Sequence, residues 1–283
     1  MKRDLIVKKV KEIVIEAGSR FRPDQIKAYE KAIAQESNRK AKWVLEQILE
    51  NARIADEKKI PLCDDTGSPH VILEIGRKTK VLPGFFHWVI EGIAEGLRAL
   101  PGRPMAVRGR PLERIGQKKG LFKDPAKMIS APFIVRPKED EKIRITVLFL
   151  GGGPEIRAKT ARIFHERSAD KVLTEAAIWV KDEVKNLGCT PTVIALGIGR
   201  THMEASSLML EAMSKGNLNR QSEWEKRFTD MVNESGVGPL GLGGRTTCLG
   251  TFINIGPLRA SGVRIVSARP CCCFEPRRAS TFL

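Results

Sequence analysis

The chain has 283 residues, with 49 Lys and Arg against 33 Asp and Glu, a formal net charge of +16 and 42% hydrophobic residues. That length suits one large domain or two small ones with a real core, and the lack of any apolar run of about 18 residues excludes a membrane-spanning helix. The charge admits nucleic acid, an acidic partner chain or a small anionic substrate; scattered cations, no basic tail and only 6% aromatics argue against nucleic acid.

The start, Met1-Lys2-Arg3-Asp4, leads into a charged amphipathic pattern rather than an export signal, so a cytoplasmic protein is expected. Leu5, Ile6, Val10, Ile13, Val14 and Ala17 recur at helical spacing, with Gly18 as the stop. A second helix begins at Pro23-Asp24, and a third runs from Ala41 to about Lys59. After a loop come a strand over 71–75 and a helix carrying Phe85, Val89, Ile93 and Leu97. Residues 100–131 change character, with Pro and Gly interleaved with Arg103, Arg108, Arg110 and Arg114; so long a loop suits anion capture, because a guanidinium matches a carboxylate bidentately. Strands follow over 133–135 and 143–150, the second ending in Gly151-Gly152-Gly153. A helix over 169–187 closes at Gly188; a strand over 193–196 then runs through Gly197-Ile198-Gly199 into a helix through Met203, Leu208 and Met213. That order is shared with dinucleotide folds, but His202 stands where the third glycine belongs, and neither nicotinamide nor flavin is expected. The last third holds the glycine-rich stretch 236–247 and a strand over 263–266. The pattern predicts an α/β protein, helices packed around a mixed β-sheet, as a single domain over 1–283.

Pro61-Leu62-Cys63-Asp64-Asp65-Thr66-Gly67 puts a soft thiol beside two carboxylates, a metal ligand next to a proton-transfer group. A packed cysteine with solvated acids at a turn fits that stretch alone equally well. Two others accompany it, Gly188-Cys189-Thr190-Pro191 and Cys271-Cys272-Cys273 followed by Arg277-Arg278. No Cys-x-x-Cys pair occurs, which argues against structural zinc, and the missing export signal argues against disulfides. Cys248 is expected simply to pack.

Taken together, these stretches resemble the alpha-type subunit of the iron-sulfur hydro-lyases, class I fumarase and L-tartrate dehydratase. The most specific are Pro61-Leu62-Cys63-x-Asp65-Thr66-Gly67, Gly151-Gly152-Gly153-x-Glu155, Cys189-x-Pro191, Gly197-Ile198-Gly199 and Gly241-Leu242-Gly243-Gly244. The resemblance implies a 4Fe-4S cluster on three cysteines, Cys63, Cys189 and one of the triplet. The spacing Cys-x-x-x-Arg selects Cys273, with Cys272 one step away. It implies that Asp65 faces the leaving hydroxyl, that Arg103 clamps a substrate carboxylate, and that the backbone near Gly152 donates a further hydrogen bond. Two positions depart from the pattern. Asp64, in the substrate-binding set, stands where many members carry Gln, and Pro257-Leu258-Arg259-Ala260-Ser261 lacks the expected His.

The expected activity is reversible addition of water to fumarate to give (S)-malate, with tartrate or mesaconate as alternatives. In single-chain relatives further groups of the site lie in a C-terminal domain beyond the point matching Leu283. The resemblance therefore implies a separate beta-type subunit and a hetero-oligomer such as a dimer of alpha-beta pairs. The rival expectation is a non-catalytic, basic, nucleic-acid-binding scaffold.

Overall fold

The computed structural model describes residues 2–283. Its first half runs α1 (Arg3–Ser19), α2 (Pro23–Gln35), α3 (Arg39–Lys58), β1 (Ser68–Gly76), α4 (Phe85–Ala99), α5 (Pro111–Ile115), β2 (Ile134–Lys138) and β3 (Ile143–Leu150). The second half runs α6 (Gly152–Glu155), β4 (Lys159–Phe164), α7 (Ala169–Lys185), β5 (Thr192–Gly199), α8 (His202–Lys215), α9 (Glu223–Asn233), β6 (Cys248–Ile255), β7 (Val263–Pro270) and β8 (Arg277–Phe282). The α/β class is as expected, but there are two four-stranded mixed sheets rather than one. No helix among the described residues is long and apolar enough to cross a membrane. The chain divides into two compact units, 1–20 with 52–151 and 277–283, and 21–51 with 152–276.

In the first unit the strand order is β2-β1-β3-β8, with β1 parallel to β2 and antiparallel to β3, and β3 antiparallel to β8. One face of α1 (Ile6, Val10, Val14) and one of α4 (Val89, Ile93, Leu97) bury against alternate strand residues, Val71 and Leu73 on β1, Ile145 and Val147 on β3. The 100–131 stretch belongs to this unit and folds largely upon itself. The Arg108 guanidinium donates to the Lys119 carbonyl at 2.8 and 3.0 Å, and Val107 bridges Leu121.

In the second unit the order is β4-β7-β5-β6, with β5 parallel to β6 and antiparallel to β7, and β7 antiparallel to β4. All of β5 is buried, as befits a strand covered on both faces. Ile194, Leu196 and Ile198 join Val172 and Val180 of α7 and Phe228 and Val232 of α9 in one core. The opposite face meets α8. A Cβ on Gly197 would lie 2.0 Å from the Ala205 carbonyl oxygen and 2.3 Å from the Met209 nitrogen, so this glycine is present for helix-on-strand packing. The two sheets share a plan: a central antiparallel pair flanked by one parallel and one antiparallel edge strand. In the first the antiparallel edge is the last strand of the chain; in the second it precedes the other three.

Candidate active site

The Cys63 loop of the first unit is built backwards from its glycine. Gly67 sits at φ +83°, and a Cβ there would lie 2.8 Å from the Leu150 carbonyl oxygen and 2.9 Å from Arg277 Nη2, so only glycine passes. Its amide donates to Asp65 Oδ1 at 3.1 Å, an Asx turn that closes the loop tightly. The Asp65 carbonyl accepts from buried Arg277 Nη1 at 2.7 Å, so the residue is held at its backbone by Arg277 and at its carboxylate by the Gly67 amide. Thr66 is buried, and its Oγ1 accepts the Arg103 amide at 3.0 Å. Arg103 Nη1 then donates to Asp64 Oδ2 at 2.6 Å, with side-chain exposures of 54% and 79%. Arg103 is thus held twice by the loop, once through its main chain and once through its guanidinium. Cys63 is half-buried beside these groups in sequence.

In the second unit Cys189 and the end of the triplet come together. The Cys273 amide donates to the Cys189 carbonyl at 2.9 Å, and the buried Tyr29 hydroxyl donates to the Cys273 carbonyl at 2.6 Å. Burial first, then the nearby thiols of Cys273, Cys272 and Cys189, push the Tyr29 phenol well above its ordinary value, so it remains a donor. The glycine-rich stretch supports the same point. The Gly238 carbonyl accepts Thr190 Oγ1 at 2.5 Å, and the Leu240 amide donates to the Thr190 carbonyl at 3.1 Å, next to half-buried Cys189.

Cys271 meets Arg269. It is fully buried, and Arg269 Nη1 approaches its sulfur at 3.6 Å. Burial pushes its thiol well above the ordinary value. Arg269, itself 0% exposed, pairs with equally buried Glu275 at 2.6 Å and with the more exposed Glu155 at 3.3 Å. Burial alone would lower the guanidinium's value, but Glu275 foremost outweighs it and holds Arg269 above its ordinary value. Glu155 of the glycine-glycine-glycine motif is thus tied to the strand leading into the triplet. Gly152 opens the one-turn α6, its carbonyl accepting the Ile156 amide at 3.1 Å. Cys248 packs: its sulfur donates to the Gly250 carbonyl at 3.3 Å, and burial pushes its thiol up to about 12.

No group of three or more His, Cys, Asp and Glu side chains among the described residues is arranged around a metal position. None of the six cysteines forms a disulfide. The donor set nonetheless fits an iron-sulfur cluster in kind: soft thiols from separate segments. Within the second unit, Cys189, Cys272 and Cys273 are near enough to Tyr29 to raise its phenol, while Cys271 is engaged by Arg269. Cys63 and Asp65, with Arg103 and Asp64, belong to the first unit. Sequence reasoning did not find Thr66 as the link to Arg103, Tyr29 beside the thiols or the Arg269–Glu275 pair. A lone tyrosine on a helix and a charged pair near a strand end carry no local signature.

A family model described as fumarate hydratase (Fumerase) matches residues 7–281. A Methanocaldococcus jannaschii protein provisionally named L(+)-tartrate dehydratase subunit alpha is 29% identical over 264 residues, 87% of this chain and 88% of that one. The L(+)-tartrate dehydratase subunit alpha of Escherichia coli K12 is 21% identical over 247 residues, 83% of this chain and 77% of its own length. A Geobacillus stearothermophilus protein provisionally named fumarate hydratase class I is 24% identical over 258 residues, but the match spans only 48% of it.

Proposed function

The chain belongs to the Fumerase family of hydro-lyases, and from that premise we propose that it is the cluster-bearing, alpha-type subunit of an enzyme that reversibly adds water to an unsaturated dicarboxylate, fumarate giving (S)-malate first of all. The observation that carries the substrate class is the double attachment of Arg103 to the Asp64-Asp65-Thr66-Gly67 loop, which presents a guanidinium beside a fixed carboxylate. In this reading Arg103 binds one substrate carboxylate, displacing Asp64 from it. Asp65, its backbone held by Arg277 and its carboxylate by the Gly67 amide, exchanges the proton of the departing or entering hydroxyl. The backbone at Gly152 contributes a hydrogen bond to the substrate. Cys63, Cys189 and Cys273, with Cys272 adjacent, would hold a 4Fe-4S cluster, which when bound would supply a Lewis acid for the hydroxyl and a carboxylate. Tyr29 keeps the Cys273 segment in place, and Arg269 engages the Cys271 sulfur.

A separate beta-type subunit completes the site, supplying the second acid-base group and a cation for the other carboxylate. The naming of two relatives as alpha subunits supports this, and favours tartrate as the second substrate reading. The test is anaerobic assay of the chain with its candidate beta-type partner on fumarate, malate, tartrate and mesaconate. Turnover of none of them by a cluster-loaded complex would refute the proposal, as would full activity of this chain without a partner.

A further inference from the structure

The second unit carries a groove of about 790 Å³ that none of the proposed active-site residues lines. Its cations come from four separate segments: Lys27 and Lys31, one turn apart on α2, Arg220 between α8 and α9, Lys226 on α9, and Arg245 at the end of the glycine-rich stretch. Against these five stands one carboxylate, Asp230. Elsewhere on the surface cations are commonly paired, as in Arg98–Asp124 at 2.8 Å, Lys181–Glu234 at 2.7 Å and Arg200–Glu204 at 2.7 Å. In the groove Lys226 reaches Glu223 at 3.0 Å, whereas among the described residues Lys27, Lys31, Arg220 and Arg245 have no carboxylate within ion-pair distance.

We propose that this groove is a binding site for a compact polyphosphate group carried by a small metabolite. Its volume is that of a small-molecule site, which spans roughly 300–1,000 Å³. Two guanidinium forks and three ammonium groups on a concave wall suit phosphate oxygens, the forks by paired hydrogen bonds and the ammoniums as point charges. A dicarboxylate offers too few negative charges to use five cations. Nucleic acid is the poorer fit, because no aromatic side chain lines the groove to stack a base and the charge is confined to one pocket rather than laid along a track. The same absence means that phosphate is recognised, not the group attached to it. The site stands independently of the hydro-lyase reading.

Calorimetric titration of the full chain with tripolyphosphate and with ATP, at about 0.15 M salt to screen diffuse attraction, tests the proposal. One-to-one binding is expected, with ATP no tighter than tripolyphosphate. Lys31→Gln with Arg245→Gln, and separately Lys27→Gln with Arg220→Gln, should each weaken it about tenfold or more, each pair removing charge-assisted bonds. All four side chains belong to exposed residues, and unchanged thermal melting confirms that the variants fold. Arg77→Gln with Lys78→Gln removes the same charge from the other unit and should change nothing. Equal weakening by all three pairs would reduce the effect to net charge and overturn the site. So would absence of binding to the wild type, ATP binding far more tightly than tripolyphosphate, or an oligonucleotide displacing tripolyphosphate at the same salt.

Discussion

Asp64→Asn separates the two roles that the Cys63 loop gives its carboxylates. Asp64 accepts Arg103 Nη1 at 2.6 Å, yet the two side chains are 79% and 54% exposed, so the pair contributes only about 0.2–1 kcal/mol. In the proposed function a substrate carboxylate replaces Asp64 on that guanidinium. Removing the competitor should therefore tighten dianion binding by about 1.4- to 5-fold, the same free energy expressed as a ratio. Loss of a negative charge beside the site acts in the same direction, and more so at low ionic strength. The Arg103 amide remains on Thr66 Oγ1, so the loop keeps its shape. Steady-state kinetics of the complex with its beta-type partner, at low and physiological salt, should show KM lowered with kcat little changed. Arg103→Met should raise KM at least about tenfold, the loss of a charge-assisted pair. A rise in KM for Asp64→Asn would show that Asp64 orients Arg103 for binding rather than competing with substrate, and refute the reasoning.

Glu275→Ala removes the fully buried carboxylate that pairs with fully buried Arg269, and should cost about 3–5 kcal/mol in urea or thermal unfolding. Gly67→Ala, at φ +83° against Leu150 and Arg277, should cost about 1–3 kcal/mol and lower activity more than an alanine placed at exposed Gly153, where nothing lies within 4 Å of the added carbon. Because burial pushes the Cys248 thiol up to about 12, iodoacetamide at neutral pH should leave it unmodified in the native protein while labelling it after denaturation. Affinity for DNA should collapse between low and physiological salt, as for any non-specific polycation; salt-resistant binding to a defined sequence would favour the scaffold reading.

Long periodic segments were legible. α1, α3 and α7 begin and end within two residues of where the apolar spacing puts them, and α2, α4 and α8 contain the periodic residues named for them, because each buries one continuous face. α9 is the exception, although Ser222-x-x-Glu225 carries the reciprocal capping pattern that the structure displays, Glu225 Oε2 accepting the Ser222 amide at 2.7 Å. β4, β6 and β8 escaped for physical reasons. β6 is interrupted by Gly250, which makes room for Leu218 and Gln221, and β8 opens with two arginines, the first buried on the Asp65 carbonyl. The division into two units leaves no compositional trace, since the first is assembled from three separated stretches. The motifs around Cys63, Cys189 and the triplet were visible as clustered residue types. The structural roles of Thr66, Arg277 and Tyr29 were not, because what each contributes is a hydrogen bond to a distant backbone atom.

The account stands most directly on the cysteines. Anaerobic reconstitution of the purified chain, with iron and acid-labile sulfide measured per chain alongside visible absorption, should give about four irons for a 4Fe-4S cluster. It should give little iron for Cys63→Ser or Cys189→Ser, and an unchanged content for Cys248→Ser. Wild-type iron content retained in the Cys63 and Cys189 variants, or no cluster formed in the wild type, would contradict it.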